Sequence, residues 1–168
     1  TGWIDSDQTT HIEYAGAPLR SRDICHWQVE VRDADGDTAV SPPARWTMGL
    51  LEPRHWLARW VAADPAIVAR DPEAIAATWV EPGTPAHFRK VFDIPGHITR
   101  ATLYASARGI VELRANGQRV GRDVFVPEWT DYGRRIHYRT YDITPLLTPG
   151  ANVLAAILGD GWWSGYVG

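Results

Sequence analysis

The sequence has a single cysteine, Cys25, so no disulfide can form within the chain. That removes one argument for secretion without fixing a compartment. A lone cysteine beside Ile24 reads as a small buried hydrophobe rather than a nucleophile. No apolar run approaches the roughly 18 residues of a membrane span. The chain starts Thr-Gly-Trp, without a signal-type segment. There is no Asn-x-Ser/Thr acceptor, no Gly-x-Ser-x-Gly elbow, no Walker loop and no dinucleotide fingerprint. The six histidines, at 11, 26, 55, 87, 97 and 137, never pair at zinc spacing. Net charge is −3, with no basic block and no acidic tail. Nucleic acid and anionic membrane surfaces are therefore disfavoured as partners.

What is abundant is turn chemistry and tryptophan. The 168 residues hold 15 Gly, 12 Pro and nine Trp, and 45% are hydrophobic, which suits many short strands better than long helices. Residues 25–32 alternate, with Trp27, Val29 and Val31 against Gln28, Glu30 and Arg32. This is the period of a half-buried strand. Asp33-Ala-Asp-Gly-Asp37 then turns, and Ala44 to Met48 is expected to return. The three aspartates fail the calcium-loop pattern, since Gly36 precedes Asp37 and the twelfth position is Ala44. A polar hairpin turn is the better reading. Trp56, Leu57 and Trp60 in the connecting stretch are expected to wedge two modules together, in preference to forming an exposed sugar platform. A short helix over Glu73 to Thr78, with Pro72 at its first position, follows from capping signals. Glu81 to Pro85 reads as a loop.

Strands are then expected over 87–94, 100–106, 110–115, 137–141 and 152–158. Val111, Leu113 and Ala115 face inward, and Asn116-Gly117 suits a tight hairpin. Thr144 is expected to cap the turn that Pro145 opens, and Pro149-Gly150 breaks it. Recurrent short strands with turns between them indicate an antiparallel sandwich.

The order of parts, with LRANGQRVG, VPEWTDYGRRIHYRTYDIT and AILGDGWWSG as local wording, resembles the N-terminal β-sandwich of bacterial α-L-rhamnosidases. The likeness reaches upstream through Arg45-Trp-Thr-Met-Gly-Leu-Leu to about Trp3. It implies an all-β fold: the later strands of a fibronectin/Ig-like module at 1–49, then an incomplete jelly-roll (galactose-binding-like) β-sandwich at 50–168. About 50 residues of half a sandwich cannot bury a core alone. The chain is thus expected to be cut from a longer one, or completed by another segment or a second copy through its unfinished sheets. In the family the hydrolytic acids lie in a later α/α barrel, so no catalytic residue is expected here. Acidic residues such as Glu128, Asp131 and Asp160 cannot be paired across a glycosidic bond from spacing alone.

Two loops nevertheless place acids beside aromatics: Glu128 to Tyr132 and Asp160 to Ser164. Candidate carbohydrate contacts are Trp129, Asp131, Tyr132, Asp160, Trp162 and Trp163. The competing reading makes the tryptophans core or interface residues and the aspartates turn-formers. In the parent enzyme, residues 159–168 would lie against the catalytic barrel as interface anchors. The expected partners are a rhamnose-containing glycan and the parent's catalytic domain. No metal or cofactor is assigned; the resemblance leaves calcium open, with no motif in this chain to support it. A free-standing carbohydrate-binding module or a structural spacer is the alternative, and cytoplasmic and secreted locations both stay open.

Overall fold

A computed structural model of the chain describes residues 2–8, 10–62 and 85–164. The helix expected over 73–78 and the loop up to residue 84 lie outside these. The chain divides into two compact units, Thr1–Arg59 and Trp60–Gly168. Among the described residues the structure is β throughout, apart from two single 3₁₀ turns and one short helix.

The first unit has four strands: β1 (Ile24–Trp27), β2 (Glu30–Arg32), β3 (Thr38–Val40) and β4 (Ala44–Thr47). The alternating run at 25–32 is split, because Gln28 and Val29 leave the strand. Ser41 draws them aside: its Oγ accepts from Val29 N at 3.0 Å, and its carbonyl accepts from Gln28 Nε2 at 2.8 Å. The Asp33–Asp37 turn forms as expected. Asp33 Oδ1 accepts from the amides of Asp35 (3.0 Å) and Asp37 (2.9 Å), and Gly36 supplies the left-handed φ of 91°. Its return strand is β3, not Ala44 to Met48. The latter segment, as β4, pairs with β1, Cys25 opposite Trp46. Two ladders of two strands bury little. Trp27, Val29 and Val31, expected on an inward face, are exposed, and Cys25 is only partly buried.

The second unit is built on β10 (Gly150–Gly159), which pairs antiparallel with β5 (Ala86–Ile94) on one side and β7 (Ile110–Ala115) on the other. The short β8 (Gln118–Arg119) extends β7 across the Asn116-Gly117 turn. Both turn residues have positive φ, 49° and 81°, as a tight hairpin demands. A second ladder joins β6 (Thr102–Ala105) to β9 (Arg139–Asp142). Leu103, Ala105 and Tyr141 of that ladder and Leu154, Ala156 and Leu158 of β10 all pack against one buried cluster that includes Val111, Leu113 and Ala115 of β7. Two layers around one apolar core make this unit a β-sandwich. Each well-buried aliphatic side chain contributes about 1.5–3 kcal/mol.

Two details differ from expectation. Strand β9 starts at Arg139 rather than His137, since Ser106 Oγ takes the His137 carbonyl at 2.7 Å in place of a ladder bond. Thr144 does not cap the 3₁₀ turn. Its Oγ1 accepts from Ala101 N at 2.8 Å, and Asp142 Oδ1 accepts from Thr144 N at 2.9 Å. The hydroxyl thus ties the turn to the segment entering β6.

Tyr141 carries a testable consequence. Burial first, then the hydrogen bond to Asp123 and that carboxylate's charge, push its phenol from 10.0 up to about 12. The folded state favours the neutral phenol. Its contribution is complete below pH about 10 and is lost as pH rises towards 12. Thermal melts across that window are expected to show a falling Tm, and Tyr141→Phe to flatten the fall.

Candidate functional site

The sequence stretch 121–137 leaves regular structure, and its backbone is driven out of common conformations. Phe125 has φ 57° and Glu128 has φ 88°. Both lie in the left-handed region, where a bulky non-glycine residue is strained. Between them Val126 and Pro127 are buried. Val111 N donates to the Val126 carbonyl at 2.9 Å, pinning the loop to β7. The buried pair anchors the loop while the strained residues turn their side chains outward: Phe125 is 61% exposed, and Trp129, beside Glu128, is 63% exposed.

The other candidate loop follows β10. Helix α1 (Gly161–Ser164) is a single turn. It begins at Asp160, whose Oδ1 accepts from Ser164 Oγ at 2.8 Å and whose carbonyl accepts from Trp163 N at 3.2 Å. Close backbone approach seats it: a Cβ at Gly109 would lie 2.3 Å from the Gly159 oxygen. The sandwich brings the two loops together. The Tyr132 and Trp163 rings meet edge to face, centroids 5.4 Å apart, and Phe125 meets Trp162 at 6.2 Å. Arg108 lies over Trp163 at 4.4 Å and over Trp60 at 5.3 Å. Of the three bulky residues after Leu51, Trp60 therefore joins this stack, while Leu57 is 84% exposed.

Of the six residues singled out in the sequence, Tyr132, Trp162 and Trp163 fall in one aromatic cluster. Trp129 stands outward on the same loop. Asp131 and Asp160 act as turn-formers. Asp131 Oδ1 accepts from Gly133 N at 3.1 Å, its carbonyl accepts from the Arg134 and Arg135 amides, and its carboxylate pairs with Arg134 at 3.5 Å. Glu128 forms an ion pair with Arg139 and lies 3.5 Å from His137. The Tyr132 hydroxyl and Arg139 Nε are buried and lack hydrogen-bond partners. Sequence reading missed Arg108, Phe125 and Arg139, because no periodicity marks a side chain that stacks or pairs across the sandwich. Among the described residues no group of three or more His, Cys, Asp or Glu side chains is gathered to hold a metal ion.

Residues 1–52 match the Rha78A-like, N-terminal immunoglobulin domain, and residues 96–168 match the alpha-L-rhamnosidase N-terminal domain. The chain belongs to the N-terminal region of the α-L-rhamnosidases. Among similar proteins, an α-L-rhamnosidase of Formosa agariphila is 32% identical over 97% of this chain, and one of Streptomyces avermitilis is 54% identical over 42% of it. Crystal structures agree: the α-L-rhamnosidase of Aspergillus terreus is 31% identical and superimposes on 91% of the chain with a TM-score of 0.72. That of Streptomyces avermitilis, at 23% identity, shares the fold over 98% with a TM-score of 0.82. This rhamnosidase region spans 17% of the length of the Formosa and Aspergillus proteins, 7% of the Streptomyces relative and 31% of the Streptomyces crystal chain. The fibronectin/Ig-like module followed by a β-sandwich, expected from sequence, is thus the fold found.

Proposed function

We propose that the chain is a non-catalytic accessory region of an α-L-rhamnosidase that hydrolyses terminal α-L-rhamnose from glycosides. Its role is to scaffold the hydrolytic domain and to offer a glycan contact at the 121–137 loop. The observation that carries this reading is the ordered pair of N-terminal family modules, 1–52 then 96–168, shared with relatives several times longer. The carboxylates of the loop and helix support it. Glu128 is held by Arg139, Asp131 by its turn and Asp160 by Ser164, so these acids serve structure. Glycosidic cleavage needs two carboxyl groups free to act on one bond. The expected result is that the purified chain releases no rhamnose from an aryl α-L-rhamnoside. Release that co-purifies with the chain and survives repeated chromatography would sink the reading.

A free-standing carbohydrate-binding module is the second reading, favoured by the exposure of Trp129 and Trp163 beside polar groups. Titration with L-rhamnose, with and without calcium, tests the contact. Saturable binding lost in Trp129→Ala supports a glycan contact, and absence of binding leaves the scaffold.

A further inference from the structure

We infer that the 119–139 segment together with Arg108 binds an anionic glycan, one that carries uronate carboxylates. This deepens the glycan contact proposed above and rests on it. The segment holds five arginines, at 119, 122, 134, 135 and 139, against three carboxylates, Asp123, Glu128 and Asp131, in a chain whose net charge is −3. A basic stretch in an acidic chain is a local feature that average composition does not explain.

Ion pairing cancels acids and arginines one for one, so it leaves this excess unchanged and shows which arginines carry it. Glu128 is taken by Arg139, with His137 3.5 Å away, and Asp131 by Arg134, while Asp123 accepts a hydrogen bond from the neutral Tyr141 hydroxyl. Arg119 reaches out of the segment to Glu112 at 3.6 Å, a carboxylate already held by Arg114 at 2.8 Å. Arg108, Arg122 and Arg135 are exposed and have no carboxylate partner among the described residues. The Arg108 guanidinium carbon lies 4.4 Å from the centroid of the Trp163 ring, a cation–π contact that restricts the side chain before a carboxylate arrives. Thr130 Oγ1 donates to the Arg135 carbonyl at 2.5 Å, folding Arg135 back alongside the residue that follows Trp129. The exposed indole of Trp129 suits the C–H face of a sugar ring, and guanidinium groups without a carboxylate partner among the described residues suit its acid. A neutral sugar would leave those cations unused. A protein partner that covered them would have to meet each with an acid of its own.

The intact chain is titrated with tri-galacturonate, with maltotriose as a neutral sugar of similar length, with L-rhamnose, and with inorganic sulfate. Tryptophan fluorescence and calorimetry are the readouts. Tri-galacturonate is expected to bind saturably, more weakly as salt rises. Arg108→Gln and Arg135→Gln are each expected to weaken it roughly tenfold, the worth of one charge-assisted hydrogen bond. Circular dichroism checks folding, and should Arg108→Gln unfold the chain, Arg135→Gln carries the test. Maltotriose or L-rhamnose binding as tightly as tri-galacturonate overturns the anionic class while leaving a glycan contact. Sulfate binding as tightly shows simple charge attraction and overturns it too. No saturable binding of tri-galacturonate, or indifference to both arginine variants, ends the proposal.

Discussion

Asn152→Ala is expected to remove about 3 kcal/mol of stability from the β-sandwich, measured by urea unfolding followed through tryptophan fluorescence. Asn152 is 0% exposed, and all its hydrogen-bonding capacity is used. Its Oδ1 accepts from Asn116 Nδ2 at 2.8 Å and from Thr148 N at 3.0 Å. Its Nδ2 donates to the carbonyls of Thr148 (2.7 Å) and Gly150 (2.8 Å). Alanine would strand these groups at once, and leaving a buried partner unsatisfied costs about 1–3 kcal/mol each before relaxation. Asn152→Asp preserves the shape, yet a carboxylate cannot donate to two carbonyls, so it should be no milder. The pair also couples two elements: Asn116 Nδ2 donates to the Leu146 carbonyl at 2.9 Å, and Asn116 Oδ1 accepts from Val153 N at 2.8 Å. A loss below about 1 kcal/mol for Asn152→Ala would mean that water takes over these bonds.

Gly109→Ala is expected to cost about 2–4 kcal/mol and to displace helix α1. Two independent effects add. The φ of 100° is strained for an L side chain, and the new Cβ would sit 2.3 Å from the Gly159 oxygen and 2.8 Å from that of Asp160. Both obstacles are backbone, which cannot swing away. Helix α1 carries Trp162 and Trp163, so their edge-to-face contacts with Phe125 and Tyr132 should break, and the fluorescence spectrum should shift. Gly117→Ala is the control. Its φ of 81° is also left-handed, but nothing lies within 4 Å of its Cβ, so only the backbone term of about 1 kcal/mol applies. Equal losses in the two variants would show that the close approach at Gly109 is relieved elsewhere.

The amino-acid order by itself determined the elements that depend on near neighbours. Alternation at Val111, Leu113 and Ala115 gave β7 and its inward face, the Asn116-Gly117 pair gave the hairpin, and the Asp33–Asp37 run gave a turn closed by its own carboxylate. These are decided within a few residues, where sterics and local hydrogen bonds dominate. The family wording was legible for the same reason, because it lies in contiguous strings. Pairing across distance was not. The same alternation at Trp27, Val29 and Val31 promised a buried face, yet burial needs a second layer, which a period cannot supply. Only the packed sandwich decided that Asn152 is interior, that Thr144 bonds Ala101 rather than its own turn, and that Arg108, Tyr132 and Trp163 meet. Each of these joins residues many positions apart, and they become neighbours only when the β6–β9 ladder closes over the sheet centred on β10.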